Sequence, residues 1–391
     1  MNAPLIELPI GWSMVALGRL VRFGNGSDYK DVEVAEGGYP VYGSGGVFRR
    51  ASRYLYDGES VLFGRKGTID RPLYVTGRFW TVDTMYYTIP GARVLPKFLY
   101  YAATTIPFSY YSTNTAVPSM TQGDLASHLI PLPPLDEQRA IADYLDDETV
   151  QIDTLVAKQE EFIRLLRERR SAVITDALQG LETIKLRRLV RPERPMSYGI
   201  LQAGEHVSEG VPYLGPSDLP GEGAHPRLET LRRTHPKIAA SYERSRLADG
   251  DVVVSIGPAY GRVAVVPPEL EGANLTQDTV RVALDPAYAD TRFFVLALGS
   301  HAVTGYWDSQ IQGATFRRLN LGTLAATPFP LGSLSEQRRI AANIDDQTAR
   351  IDALIAKAEE HIALAKERRA ALITAAVTGQ IDVRTAARKA S

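Results

Sequence analysis

The chain has 391 residues, 45% hydrophobic and 23% charged, a globular composition with material for more than one core. Lys and Arg number 44 against 45 Asp and Glu, so no overall basic field marks a nucleic-acid binder. Cysteine is absent, which excludes disulfide scaffolds, thiolate metal sites and thiol nucleophiles.

Met1-Asn2-Ala3-Pro4 lacks the basic-then-apolar pattern of a secretory leader, and no apolar run reaches bilayer length. The expectation is a cytoplasmic protein that does not enter membranes. Residues 1–130 form a first variable unit, with strands expected at 60–63 and 86–89 and a helix at 96–103. Basic clusters occur at Arg49-Arg50 with Arg53 and at Arg65-Lys66. The unit closes on Tyr110-Tyr111-Ser112-Thr113-Asn114-Thr115, a loop rich in hydroxyl and amide groups.

Residues 131–183 carry the first long helix, predicted over 137–178, where neither Pro nor Gly occurs, with Gly180 as its stop. A 3.5-residue spacing runs through Ile141, Leu145, Ile152, Leu155, Phe162 and Leu166, which reads as a coiled-coil seam interrupted by Gln159 and Arg169. A second stripe, Val156, Ile163 and Ile174, widens the apolar face. This segment has 6 basic and 12 acidic residues, which suits a solvated or protein-facing helix.

Residues 184–329 form a second variable unit, with strands expected at 251–256, 262–266 and 279–283 and a helix at 291–300. Its basic clusters are Arg232-Arg233 with Lys237, and Arg317-Arg318. The latter ends the stretch Gln310-Ile311-Gln312-Gly313-Ala314-Thr315-Phe316-Arg317-Arg318. Residues 330–380 carry the second long helix, predicted over 336–377, with a seam at Ile340, Ile344, Ile351, Leu354 and Leu372 broken by His361 and Arg368. A tail, 381–391, follows.

The two helical segments are copies. At a constant offset of 199, 25 of the 44 residues from Glu137 to Gly180 match those from Glu336 to Gly379, without a gap. The variable units echo each other more weakly, as in Gly38-Tyr39-Pro40 and Gly210-Val211-Pro212. The order is therefore unit, helix, unit, helix. A short connection after the first helix places the units near opposite ends of it, and a second helix pairing with the first must run antiparallel. The expected fold is mixed α/β (α+β): two globular domains separated by two long antiparallel helices, with an internal pseudo-two-fold duplication.

Arg and Lys pair with guanine edges, Asn and Gln read adenine, and hydroxyls position phosphates. On that chemistry the DNA-contact candidates are Arg49, Arg50, Arg65, Lys66, Tyr111, Thr113, Asn114, Arg232, Arg233, Gln310, Gln312, Thr315, Arg317 and Arg318. Catalytic motifs are missing: there is no Gly-x4-Gly-Lys-Ser/Thr, no Gly-x-Ser-x-Gly and no metal-ligand His spacing. No catalytic or metal residue is therefore named. A coiled-coil scaffold whose units bind proteins is the main alternative, and an enzyme with an unrecognised site is a second.

The arrangement resembles the specificity subunit of type I restriction–modification systems. Leu8-Pro9-Ile10-Gly11-Trp12 at the start carries the likeness, with Pro131-Leu132-Pro133-Pro134-Leu135-Asp136-Glu137-Gln138 leading into the first helix. The second lead-in, Pro330-Leu331-Gly332-Ser333-Leu334-Ser335-Glu336-Gln337, keeps Glu-Gln but lacks the paired prolines. The resemblance implies that 1–130 and 184–329 are target recognition domains, each reading one half of an asymmetric bipartite site in double-stranded DNA. Half-sites about one helical turn apart follow by analogy with dimeric readers. It further implies that the helices are a spacer docking two methyltransferase subunits and, for restriction, restriction subunits. S-adenosylmethionine, ATP and Mg would then belong to those partners, and this chain would hold no cofactor and do no chemistry.

Overall fold

The computed structural model describes residues 8–111, 118–257, 259–311 and 318–386. The chain divides into two compact units, residues 1–160 with 359–391 and residues 161–358. Each contains one variable segment and part of both long helices, so neither helix belongs to a single unit.

In unit 1 the chain runs through β1 (Ser13–Ala16), β2 (Val21–Asn25), β3 (Glu33–Val34), β4 (Tyr39–Gly43), β5 (Gly46–Ala51) and β6 (Tyr56–Asp57). It continues through β7 (Ser60–Gly64), β8 (Leu73–Val75), β9 (Arg78–Thr81) and β10 (Met85–Pro90). Two helices, α1 (Pro96–Thr104) and α2 (Gln122–Ser127), then precede β11 (Leu129–Leu132) and the long helix α3 (Leu135–Ala177). The sheets have the orders β1-β11, β2-β10-β7-β8 and β3-β5-β4-β9-β6. β7 is a continuous apolar run because both of its faces are covered. Val61 and Phe63 join the core that holds α1 and the long helices, while Leu62 packs the opposite way with Val75, Phe79 and Met85. Pro96 at the first turn of α1 presets the helical φ where its missing N–H costs nothing.

Unit 2 takes up the rest of α3 and adds β12 (Glu182–Lys185), β13 (Ser197–Tyr198), β14 (Val211–Leu214), β15 (Arg233–Thr234) and α4 (Pro236–Ala240). It goes on through β16 (Val252–Ser255), β17 (Val263–Val265), β18 (Asn274–Leu275), β19 (Thr279–Val282), α5 (Thr291–Leu298) and α6 (His301–Ile311). α7 (Leu321–Ala326) and β20 (Pro328–Leu331) lead into α8 (Leu334–Val377), after which α9 (Val383–Ala386) lies in unit 1. Its sheets are β12-β20, β13-β19-β16-β17 and β15-β14-β18. The first two repeat the strand order of β1-β11 and β2-β10-β7-β8. In the third, the parallel pair β14–β18 corresponds to the parallel pair β4–β9. The duplication therefore includes the variable units. The 199-residue offset also reaches back to the capped turns Thr121–Asp124 and Asn320–Thr323.

Both long helices match their predicted spans to within two residues at each end. Gly180 and Gly379 follow them at φ +79° and +75°, left-handed positions that stop a helix without a Cβ penalty. At Gly379 a Cβ would also come within 2.4 Å of the Pro9 ring. Within unit 1 the two helices run antiparallel, with Arg368 near Glu148 at 3.4 Å, Arg369 near Asp153 at 3.1 Å and Lys366 near Glu160 at 3.9 Å. In unit 2 the two helices meet again at Arg170–Asp352, 2.8 Å apart. Part of the acid counted in the first helix is thus matched by bases of the second.

The buried stripe departs from the predicted seam. Ile141, Leu145, Ile152, Leu166, Ile340, Ile344 and Ile351 are buried and Leu372 is half-buried, but Leu155, Phe162 and Leu354 are 48, 42 and 46% exposed. Their places are taken by Val156, Ile163 and Ile355, one residue along. On α3 the stripe runs 141, 145, 149, 152, 156, 159, 163, 166, 170 and 174, and α8 repeats it 199 residues later. That spacing averages about 3.7 residues, near the pitch of an ordinary α-helix, so a strict heptad drifts off the contact face. Arg169, His361 and Arg368 lie outside the seam, exposed.

Candidate nucleic-acid interface

The two loop-bearing segments emerge at equivalent edges. In unit 1 the turn after β7 is tied to the residues following the first loop. Met120 N–H donates to the Arg65 carbonyl at 3.0 Å and Gly67 N–H to the Pro118 carbonyl at 2.9 Å, while Lys66 bridges to Ser119. Arg65 N–H also donates to the Thr84 carbonyl at 2.8 Å, and its guanidinium lies 5.9 Å from the centre of the Tyr86 ring. In unit 2 Leu319 N–H donates to the Ile256 carbonyl at 2.9 Å, and Ile256 N–H to the Asp278 carbonyl at 2.8 Å. Arg318 then reaches the Asp278 carboxylate at 3.1 Å and the Gln277 carbonyl at 3.0 Å.

Arg65 and Lys66 therefore sit beside the residues that follow the first loop, and Arg318 directly follows the second. Thr113, Asn114, Gln312, Thr315 and Arg317 lie outside the described residues. Gln310 is exposed at the end of α6. Tyr111 shares a 2.7 Å hydrogen bond with His128 Nδ1, which ties its hydroxyl to the chain. Burial lowers the His128 pKa from its ordinary value, favouring a neutral ring there. Arg49 and Arg50 stand on β5 of the separate five-stranded sheet, both exposed. Arg49 faces Glu33 at 3.0 Å, and Arg50 donates to the Gly38 carbonyl at 3.1 Å. Arg232 is exposed beside β15, whereas Arg233 is half-buried and donates to the Gly210 carbonyl at 3.2 Å.

The bonds that tie the starts of the long helices to the segments before α1 and α5 come from residues not singled out in the sequence. Gln138 is fully buried at the start of α3. Its Nε2 donates to the Arg93 and Pro133 carbonyls at 3.0 and 2.9 Å, and its Oε1 accepts from Leu95 N–H at 2.8 Å. Gln337 makes the same three bonds in unit 2, to the Tyr288 and Gly332 carbonyls at 2.8 and 2.9 Å and from Asp290 N–H at 2.9 Å. An amide both donates and accepts, which this position requires. One helical turn or more further on, Lys97 on α1 meets Asp146 at 3.2 Å, and Arg292 on α5 meets Asp345 at 2.5 Å. Tyr101 adds a hydrogen bond to Asp146 at 2.5 Å, and burial with this bond drives its pKa upward. In unit 1, Glu137 accepts from Trp12 Nε1 at 2.9 Å and faces Arg384 at 3.4 Å, so the chain start and the segment after α8 meet at one carboxylate. The identity of Gln138 and Gln337 within the duplication was the signal available in the sequence.

Among the described residues no group of three or more His, Asp or Glu is placed to hold a metal ion, and no helix is long and apolar enough to cross a membrane. The family model for the type I restriction modification DNA specificity domain matches residues 9–162 and 201–363. The chain belongs to that family. Its part in such a system is DNA recognition without catalysis. It is 22% identical to the specificity subunit of the Escherichia coli type I restriction enzyme EcoBI, over 96% of this chain and 88% of that one. It is also 22% identical to a putative type I specificity subunit of Haemophilus influenzae, over 79% and 80%. A chain solved in work on complex assembly and conformational transition of the type I restriction–modification system shares its fold, with TM-score 0.64, 18% identity and coverage of 96% and 100%.

Proposed function

We propose that this specificity subunit reads an asymmetric bipartite DNA site, one half through residues 1–130 and the other through 184–329. The observation that carries the reading is the repeated strand order β2-β10-β7-β8 and β13-β19-β16-β17. In each unit the end of a central strand is bonded to the residues that follow a loop with amide and hydroxyl groups. Equivalent folds with unlike loops suit two half-sites of unlike sequence. Residues 131–183 and 330–380 serve as the spacer, and the tail 381–391 returns to the first domain. The spacer docks two methyltransferase subunits and, for restriction, restriction subunits. Those partners supply S-adenosylmethionine, ATP and Mg, and flip and methylate the adenine. The complex works in the cytoplasm. Base reading is assigned to the loops holding Thr113 and Asn114, and Gln310, Gln312, Thr315, Arg317 and Arg318, with Arg65 and Lys66 beside the first.

Co-expression with the cognate methyltransferase followed by methylation mapping tests this. A bipartite adenine motif is expected, and its absence refutes the reading. Substituting Gln312 or Arg317 should alter one half of the motif only. A change in both halves would refute the division of labour between the domains.

A further inference from the structure

Unit 2 contains an open cavity of about 1410 Å³ whose walls are unusually rich in arginine. Arg191, Arg194, Arg244, Arg246 and Arg281 line it, against the carboxylates Glu193, Glu243 and Glu271. A smaller hollow of about 240 Å³ continues it, sharing Arg191, Pro195, Met196 and Leu321 and adding Arg187. The segment 184–329 as a whole holds 16 basic and 15 acidic residues, so this groove concentrates positive charge that the average conceals.

Most of these cations are not matched internally. Arg194 forks onto Asp251 at 2.8 and 2.7 Å. By contrast, among the described residues no carboxylate pairs with Arg187, Arg191, Arg244 or Arg246, and the Arg191 guanidinium donates to the Leu284 carbonyl. Arg281 is 4% exposed; its terminal nitrogens donate to the Arg246 and Pro195 carbonyls, and its Nε has no acceptor. Burial first, and then the nearby Arg194, hold its pKa below the ordinary arginine value.

One edge of the groove is built from a motif present in both units. Leu186-Arg187-Arg188-Leu189-Val190-Arg191 repeats Leu17-Gly18-Arg19-Leu20-Val21-Arg22 with one difference, and in both the Leu and Val side chains are buried. Arg188, Arg19 and Arg22 are exposed and, among the described residues, meet no carboxylate. Of the retained arginines, Arg191, the counterpart of Arg22, lines the groove, whereas Arg187 there replaces Gly18. The surrounding sequences have diverged, so the retention of Arg191 suits a ligand whose chemistry is the same for both units. Base edges differ between half-sites, but phosphodiesters do not.

We infer that the arginine-lined groove of unit 2 seats the phosphodiester backbone of the bound duplex, fixing its position while the loops read bases. This rests on the DNA-reading function proposed above. Arginine is suited to it, since its planar fork matches two phosphate oxygens.

The test uses the full chain assembled with its methyltransferase subunits, with Arg187→Ala, Arg244→Ala and Arg246→Ala made singly and together. All three are accessible rim residues of the cavity, and Arg244 and Arg246 are exposed. DNA binding is followed against salt on a cognate and a scrambled duplex. Each lost contact should make the slope of log K against log salt shallower by about 1 and weaken both duplexes alike, with the methylated motif unchanged. An unchanged slope in the triple variant overturns the inference. So does an altered motif, which would make these residues base readers. Failure of subunit assembly on size exclusion, with the slope intact in whatever complex forms, would overturn it in favour of an acidic protein partner. Inorganic phosphate should compete with DNA no better than chloride at equal ionic strength. Competition lost in the triple variant would mark a site for free anions instead. If the wild-type complex binds neither duplex in a salt-dependent way, the recognition reading itself falls, and this inference with it.

Discussion

Replacing Gln337 with Ala removes three hydrogen bonds at once, and the partners left behind are all backbone groups. The Tyr288 and Gly332 carbonyls lose donors at 2.8 and 2.9 Å, and Asp290 N–H loses an acceptor at 2.9 Å. Gln337 has no exposed surface, so water reaches these groups only if the start of α8 moves away from the segment before α5. At about 1–1.5 kcal/mol for each unsatisfied group, the loss is about 3–4.5 kcal/mol. Gln138→Ala should cost a similar amount in unit 1, where the bonds measure 3.0, 2.9 and 2.8 Å. Two compact units do not guarantee one two-state transition, so hydrogen exchange resolved by residue is a better assay than a single melt. Gln337→Ala should lower protection in 184–311 and leave 8–111 unaffected, with the reverse for Gln138→Ala. Glu in place of either Gln should be no better than Ala, because a carboxylate cannot donate to two carbonyls. A loss below about 1 kcal/mol for both Ala variants would refute the claim that these amides hold the domains to the helices.

The register of the long helices can be checked in the same chain. Leu155→Lys and Phe162→Lys should each change stability by less than about 0.5 kcal/mol, whereas Ile152→Ala and Ile163→Ala should each cost about 2–4 kcal/mol; the opposite ranking in denaturant titrations would restore the heptad seam. The Arg292–Asp345 pair, with side chains 46 and 40% exposed, should contribute only about 0.5 kcal/mol in a double-mutant cycle despite its short contact. His128 has a folded pKa below its unfolded value of 6.5, so the unfolded chain binds the extra proton first. Its contribution to unit 1 is therefore complete above pH 6.5 and declines as pH falls below it, with a slope of at most about 1.4 kcal/mol per pH unit. His128→Gln should remove that dependence between pH 5 and 7, as read from denaturant titrations; a dependence unaltered by the substitution would assign it to other groups.

The strands read at 60–63, 86–89, 251–256, 262–266 and 279–283 all form, with ends shifted by no more than one residue. The helices at 96–103 and 291–300 form as well. These segments were legible because their apolar runs are short, buried on both faces and bounded by Gly, Pro or Asp. The third sheet of each unit was not legible. Its strands are as short as two residues, and the parallel pairs β4–β9 and β14–β18 join segments far apart in sequence. Arg318 directly follows the second loop in the sequence, whereas only the fold brings Arg65 and Lys66 to the residues that follow the first. Arg233 and Tyr111 looked like free contacts, but the fold has given their polar atoms partners of its own.

By itself the sequence determined the duplication, the extents of both long helices, their glycine stops and the family. Each of these is written in local periodicity or in a register that compares one stretch with another. Tertiary structure alone decided which helix stripe is buried, since 3.5 and 3.6 residues per turn look alike over two turns and diverge over ten. It also decided which cations, among the described residues, have no carboxylate partner. Arg187, Arg246 and Arg281 are distant in the chain and line one continuous hollow, because the sheet β13-β19-β16-β17 brings their segments together. Net charge is a sum over the chain, whereas the field a ligand meets depends on which charges the fold leaves without partners.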